Sequence, residues 1–342
     1  MKIYKTIQVV GIMIITVCVS ISSSFVLAKS ISFGDTLLES IRINKKALYP
    51  ESIQYNPATE KFIVGSFRDG KIYEIDTNGD YEVLIDDTRI SSALGIKIDT
   101  RLNRLLVVTA DIGASLNAYD KGVKALAALG IYDLTTGKAL HFINLGELRP
   151  KGDHLANGVA LDDNGNAYIT DSFYPVIYKV DVKGRASVFL ENKRFKMDGI
   201  NLNGLVYHPN GYLIVAAKTE GVLFKVPLQT PDNFTEIKLN RKIIGLDGVT
   251  LVNKNNIVVV ANRAANVNTD KAFLITSDDD WRAARVTEEY AFGNVYPTTS
   301  VVKDNKIYVL HSSLNQLVSA DKEGKKQLTK KSTIQQIWKV IP

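Results

Sequence analysis

Cysteine is almost absent, with one residue, Cys18, in 342. A single thiol can close no internal disulfide, which excludes a disulfide scaffold. Histidine, methionine and tryptophan are scarce as well, at 4, 3 and 2 residues. The sequence contains no Gly-x-Ser-x-Gly elbow, no His-Glu-x-x-His pair and no phosphate loop, so the common serine-hydrolase, zincin and P-loop signatures are missing. No dense basic cluster accompanies the formal charge of +6, made of 42 basic and 36 acidic residues. A nucleic-acid partner is excluded on that ground, because such binders gather basic residues on one face. Mean hydropathy is −0.01, and only one long apolar run occurs, from Val9 to Val19. The chain is therefore not a polytopic membrane protein.

That run belongs to a distinct N-terminal segment. Lys2 and Lys5 precede it, and Val26-Leu27-Ala28 closes it with small residues at the −3 and −1 positions of a cut after Ala28. Residues 1–28 thus have the layout of a secretory signal peptide, and the run is short of the ~20 residues that span a bilayer. The expectation is export to the periplasm or the medium, with no stable membrane insertion after cleavage. Cys18 leaves with the signal, so the mature chain, 29–342, contains no thiol nucleophile.

Across the mature chain one pattern returns. A polar opening leads into an alternating strand; a turn rich in Asn, Asp and Gly follows, then an apolar strand, then a third strand centred on an aromatic. The openings are Pro50-Glu51-Ser52, Ala93-Leu94-Gly95, Ala156-Asn157-Gly158, Leu202-Asn203-Gly204 and Leu246-Asp247-Gly248, with a weaker sixth at Tyr296-Pro297-Thr298. From Ser52 to Thr298 the steps are 43, 63, 46, 44 and 50 residues. Period-two strands repeating at about 45 residues per unit are the signature of propeller blades. Residues 29–342 therefore read as one all-β domain, a six-bladed β-propeller of four-stranded antiparallel blades around a central channel. The long step is expected to hold a short helix within the insertion Ala114–Leu129. The sixth blade's third strand is expected at Gln316–Ser319. Terminal segments, Ile31–Leu38 or Ile41–Asn44 at one end and Ile334–Val340 at the other, are expected to close the ring.

Residues opening the innermost strands point toward the channel, where polar groups are costly unless they bind water, an ion or a ligand. Glu51, Leu94, Asn157, Asn203, Asp247 and Thr298 take that phase. Glu51, Asn157, Asn203 and Asp247 supply two carboxylates and two amides from different blades. Such a set suits one hard divalent cation, Ca²⁺ before Mg²⁺ or Mn²⁺. Asn78-Gly79, Asn164-Gly165 and Asn210-Gly211 read instead as hairpin turns.

Through Pro50-Glu51, Asn157-Gly158, Asn203-Gly204 and Asp247-Gly248 the sequence resembles the senescence marker protein, gluconolactonase and luciferin-regenerating-enzyme family. The resemblance implies a six-bladed propeller with one metal in the channel. It implies Glu51, Asn203 and Asp247 as metal ligands and Asn157 as a contact to substrate. Leu155 stands where family lactonases place an Arg, and Ser52 stands where they place a Gly, which implies a substrate less polar than a sugar acid. His154, three residues before Asn157, is an expected pocket acid or base, and Asp171 an expected substrate contact. The function expected is an exported metal-dependent hydrolase of a lactone or ester, with Asp247 as general base. The alternatives are a non-catalytic propeller of the NHL type, binding a small ligand or a partner protein, and a strictosidine-synthase-like biosynthetic enzyme.

Overall fold

Asn256–Ala261 reads Asn-Ile-Val-Val-Val-Ala, and everything after its first residue is buried. β-Branched residues favour extended backbone, and a short apolar run hidden on both faces is a strand lying between two layers. Lys61–Ser66, Arg104–Ala110, Ala167–Asp171, Tyr212–Ala217 and Lys306–His311 have the same character. Each is the second strand of an antiparallel meander.

The computed structural model describes residues 31–32, 39–119, 121–263, 269–322 and 330–340. The signal segment 1–28 lies outside them. The architecture is all-β, with a single α-helix, Leu314–Lys322, among the described residues. None of these residues forms a helix long and apolar enough to cross a membrane.

Strands Pro50–Asn56 to Tyr81–Ile85, Ser92–Asp99 to Ala139–Asn144, and Ala156–Leu161 to Ala186–Glu191 form three separate four-stranded sheets. Two further meanders, Leu202–His208 to Thr235–Leu239 and Leu246–Asn253 to Ala283–Ala291, join into one eight-stranded sheet. Only a two-residue parallel contact links them, Lys238 with Ala283 and Leu239 with Ala284. The first strand of each meander neighbours the first strand of the next, and Pro297–Lys303 returns to Pro50–Asn56, so these strands form a closed cycle.

Both chain ends build the last sheet. Pro297–Lys303 and Lys306–His311 are followed by Lys331–Val340, and Ser40–Lys46 pairs on its outer side. The N-terminal strand alternates exposed and buried residues, with Ile41 and Ile43 inward. Closure of this kind covers edges that would otherwise template aggregation. Both Ile41–Asn44 and Ile334–Val340 thus serve as expected, and Ile31–Ser32 adds a short pairing with Lys339 and Val340.

Two expectations fail. Gln316–Ser319 lies within the helix, and Lys331–Val340 fills its expected place as third strand. Leu314 and Leu317, three residues apart, share one helical face and are both buried. Among the described residues of the insertion there is no helix either: residues 111–119 and 121–126 run through bends and turns, and Ala127–Asp133 is already strand.

The core is divided among the gaps between sheets. Leu106, Val108 and Leu129 pack against Val159, Ile169 and Tyr178 of the next sheet. Ile41, Ile334 and Tyr308 of the last sheet pack against Ile53, Phe62 and Val64 of the first. Each fully buried side chain of this size contributes about 1.5–3 kcal/mol, so every sheet depends on its neighbours.

Candidate functional site

The six openings are β-bulges. Ladder pairing holds at Pro50 with Ser66, Ala93 with Thr109, Ala156 with Asp171, Leu202 with Ala217, Leu246 with Ala261 and Pro297 with His311. In every strand the register then shifts before it resumes three residues later. A bulge re-aims the side chains it contains. Here the re-aimed residues are the six expected ones, Glu51, Leu94, Asn157, Asn203, Asp247 and Thr298, all buried.

Glycine follows four of them because consecutive bulges nearly touch. A Cβ on Gly204 would lie 2.3 Å from the Asp247 carbonyl oxygen, and one on Gly158 would lie 2.7 Å from that of Asn203. Gly79, Gly165 and Gly211 differ in kind. They have φ of +84°, +80° and +88°, the left-handed region of hairpin turns.

The six inner strands enclose a channel of about 290 Å³, lined by Glu51, Asn157, Asn203 and Asp247 at one end and by Tyr55, Lys97, Leu161, Tyr207 and Val302 toward the other. The strand-start end is closed by an apolar cluster that includes Tyr49, Phe67, Leu94, Leu155, Tyr296 and Leu317. Side chains become part-exposed toward the strand ends, so the channel opens there and the polar cluster forms its floor.

At the floor, Asp247 is tied down from behind. Lys218, one residue beyond Tyr212–Ala217, is 2 % exposed and donates from Nζ to Asp247 Oδ2 at 2.5 Å. Asn262 Nδ2 donates to the same oxygen and to the Pro297 carbonyl at 2.9 Å. No described residue donates to Oδ1. Glu51 has no hydrogen bond among the described residues. Burial first, and the Asp247 charge second, push its carboxyl well above the ordinary range, against the opposing pull of Lys218. Burial, then the charges of Asp247 and Glu51, push the Tyr296 hydroxyl far up as well. Asn157 donates from Nδ2 to Ser172 Oγ at 3.1 Å.

These residues do not fit a divalent ion. Oxygen ligands hold Ca²⁺ at about 2.3–2.6 Å. An ion bound to the Asp247 carboxylate at that distance would lie within a few ångströms of the Lys218 ammonium. The cation beside Asp247 is a side chain of this protein. Among the described residues no three or more His, Cys, Asp or Glu side chains gather where they could hold a metal. Glu51, Asn203 and Asp247, the expected ligand trio, line the same channel, and the Lys218 ammonium stands beside Asp247.

His154 and Asp171 meet each other rather than the channel. His154 Nδ1 lies 2.7 Å from Asp171 Oδ2, and Nε2 lies 2.9 Å from the Arg149 carbonyl. Burial lowers the imidazole, but the hydrogen bond and charge of Asp171 and the Arg149 carbonyl outweigh it, and its pKa ends raised. Both nitrogens facing acceptors is the arrangement of an imidazolium. Asp171 Oδ1 also accepts from the backbone N–H groups of Leu155, Phe173 and Tyr174 at 2.9–3.0 Å. The pair holds the loops around the closed end, and neither residue lines the channel. His154 and Asp171, expected as pocket acid or base and as substrate contact, are thus placed together beside the channel and not in its lining.

Two residues escaped sequence reasoning. Lys218 has a legible signal: Ser172, Asn262 and Ser312 stand at the same phase beyond their second strands. Lys97 lies in the channel wall, three residues beyond Leu94.

No protein-family model matches the chain, and no curated protein sequence does. Among solved structures the fold is similar to that of the major allergen Mala s 1 of Malassezia sympodialis, with a TM-score of 0.67 and 16 % identity over 88 % of this chain and 96 % of that one. A putative gluconolactonase matches with a TM-score of 0.58 and 12 % identity over 89 % and 94 % of the two chains. A calcium-binding protein, regucalcin, from Agrobacterium tumefaciens strain C58 matches at 0.57 and 14 % over 88 % and 94 %. The likeness is one of fold, and it reaches the propellers that the opening motifs resemble.

Proposed function

We propose that the protein is an exported six-bladed β-propeller that hydrolyses a lactone or ester of a small organic molecule on the floor of its central channel. The floor chemistry belongs to Glu51 and Asp247, with Lys218 as resident counter-charge in the place expected for a metal. The carrying observation is the pairing of two buried carboxyl groups in opposite environments. Asp247 is ion-paired with Lys218, while Glu51 has no hydrogen bond or ion pair among the described residues and its carboxyl is held toward the neutral form. A buried carboxyl held toward its neutral form beside an ion-paired one is the ordinary arrangement of an acid and a base.

In this reading a water in the channel gives its proton to Asp247 Oδ1 as it attacks the ester carbonyl. The amides of Asn157 and Asn203 orient the carbonyl oxygen, and Glu51 delivers the proton that the leaving alkoxide takes. Lys218 holds Asp247 in position through its hydrogen bond to Oδ2. The closed cycle of inner strands and six bulges at one phase support the six-blade count. The first 28 residues support export, with Lys29 as the first residue of the mature chain.

The test is a panel of aliphatic lactones and 4-nitrophenyl esters with the purified mature protein before and after dialysis against EDTA. Turnover that survives EDTA and falls roughly 100-fold or more in Asp247→Asn and in Glu51→Gln is expected. Undiminished activity in both variants overturns the assignment. Activity lost to EDTA and restored by Ca²⁺ overturns the metal-free part of it. No turnover on any member leaves a ligand-binding propeller as the function.

A further inference from the structure

Beyond each bulge the inner strands resume a common register. Gln54 pairs with Ile63, Lys97 with Leu106, Ala160 with Tyr168, Val206 with Ile214, Thr250 with Val258 and Val301 with Tyr308. These six residues form one ring of the channel wall, and Lys97 is its only charged member. Among the described residues Lys97 makes no ion pair and no hydrogen bond, and burial alone acts on it, lowering its pKa. Of the other polar members of this wall, Thr250 Oγ1 accepts from Ser300 Oγ at 2.8 Å and donates to the Ser300 carbonyl. The inner strands pair on one side only, so their other edge presents backbone N–H groups to the same space.

Lys97 is part-buried and lines the cavity, and an ammonium held there without an anionic partner is costly. Three residues of strand separate it from the floor, about 10 Å of rise. With one positive charge in a ring of neutral groups, the matching ligand charge is a single negative one, which fits a carboxylate better than a phosphate dianion.

Building on the proposed hydrolysis, we propose that Lys97 anchors a carboxylate of the substrate, which enters from the open end of the channel. The substrate class is then an ester or lactone bearing a carboxylate about 10 Å from the acyl carbon. The carboxylate pairs with Lys97 in the channel wall while the acyl group meets Glu51 and Asp247 on the floor.

The test has a binding arm and a turnover arm. In the first, hexanoate and hexanamide are titrated calorimetrically into the wild type, Lys97→Met and Lys97→Arg. Hexanoate binding at least 10-fold tighter than hexanamide is expected in the wild type and in Lys97→Arg, and no preference in Lys97→Met. In the second, mono-4-nitrophenyl azelate, whose extended chain sets its carboxylate about 10 Å from the acyl carbon, is compared with 4-nitrophenyl nonanoate. The charged ester should lead in kcat/KM by 10-fold or more in the wild type and in Lys97→Arg, and Lys97→Met should remove that lead. Equal binding of acid and amide by the wild type overturns the anchor, as does a preference that persists in a folded Lys97→Met protein. Absence of ester turnover overturns the hydrolase reading alone, because the binding arm does not depend on it.

Discussion

Removing one member of the Lys218–Asp247 pair is expected to cost far more than removing both. At 2.5 Å and an effective dielectric of ~20 the gross attraction is about 7 kcal/mol. Desolvation of two buried ions costs several kcal/mol each, so the net worth of such a pair against apolar groups of similar shape is near zero. The single variants differ, because each strands a charge. Asp247→Leu leaves the Lys218 ammonium, 2 % exposed, with no carboxylate beside it, and the expected cost is about 3–5 kcal/mol. Lys218→Met leaves Asp247 with Asn262 as its only donor among the described residues and next to the raised carboxyl of Glu51. Its expected cost is about 3 kcal/mol. The double variant is expected within about 1–2 kcal/mol of the wild type. Urea unfolding reads all four proteins. With m of about 3 kcal/mol/M, the Asp247→Leu midpoint falls by about 1 M or more and the double variant recovers most of it. The same proteins test what the cation is for. Lys218→Met keeps the oxygen donors of Glu51, Asn203 and Asp247 and lacks the ammonium, so millimolar Ca²⁺ should raise its Tm and leave the wild-type Tm unchanged. Single-variant costs below about 1 kcal/mol with no coupling, or a wild type that Ca²⁺ stabilises by several degrees, refute the reasoning.

Gly204→Ala places a Cβ 2.3 Å from the Asp247 carbonyl and 2.9 Å from Gly248 Cα. Both obstacles are backbone, so a loss of at least about 2 kcal/mol is expected in thermal or urea melts, whereas an unchanged Tm would show that the bulges are not in close contact. Two histidines should bend the pH profile of stability in opposite directions. His154 is raised above its ordinary 6.5 by Asp171 and the Arg149 carbonyl despite burial. Its stabilisation is fully present below the unfolded value and is lost as pH rises through the folded one, and Asp171→Asn should flatten that alkaline limb. His311, packed edge-on against Phe292, is held down to about 4 by burial. Its stabilisation is present above the unfolded value of about 6.5 and is lost as pH falls toward 4. The effect is at most about 3 kcal/mol, less for its partial exposure. Chemical melts from pH 4 to 9 on His311→Gln should lack this acid limb, and an acid limb equal to the wild type's would refute it.

The sequence discloses the strand phases because the fold leaves two marks at the same place. A bulge needs a residue that can be re-aimed, and the crowding of neighbouring bulges excludes a Cβ, so Asn157-Gly158, Asn203-Gly204 and Asp247-Gly248 recur at one phase. The regularity was legible, and with it the convergence of Glu51, Asn157, Asn203 and Asp247. It did not reveal what neutralises the carboxylates. Lys218 stands just past the second strand of one meander and meets Asp247 on the first strand of the next, 29 residues later; its phase is legible in the sequence, but its partner across the meanders is not. His154 and Asp171 look like mouth residues along the chain because both lie near the opening of the third sheet. Only the fold shows that each satisfies the other. The last sheet's third strand was misplaced for a similar reason, since the helix Leu314–Lys322 separates it from the second strand and breaks the spacing that the other meanders keep.

The arrangement also accounts for why a lysine can stand in a site built like a cation cradle. The bulges set six side chains on the floor regardless of what they bind, since strand register and Gly contacts fix them. Four oxygen-bearing side chains and a closed apolar end then require a positive charge, and a divalent ion is one way to supply it. A lysine reaching in from the adjacent second strand is another. It ties that charge to the folding of the neighbouring sheet instead of to the availability of an ion. The cost is flexibility at the floor, because an ammonium held by Asp247 in a buried position cannot also reach a substrate. Ligand recognition must then fall to groups higher in the channel, and Lys97 is the one charged group in the ring above the floor.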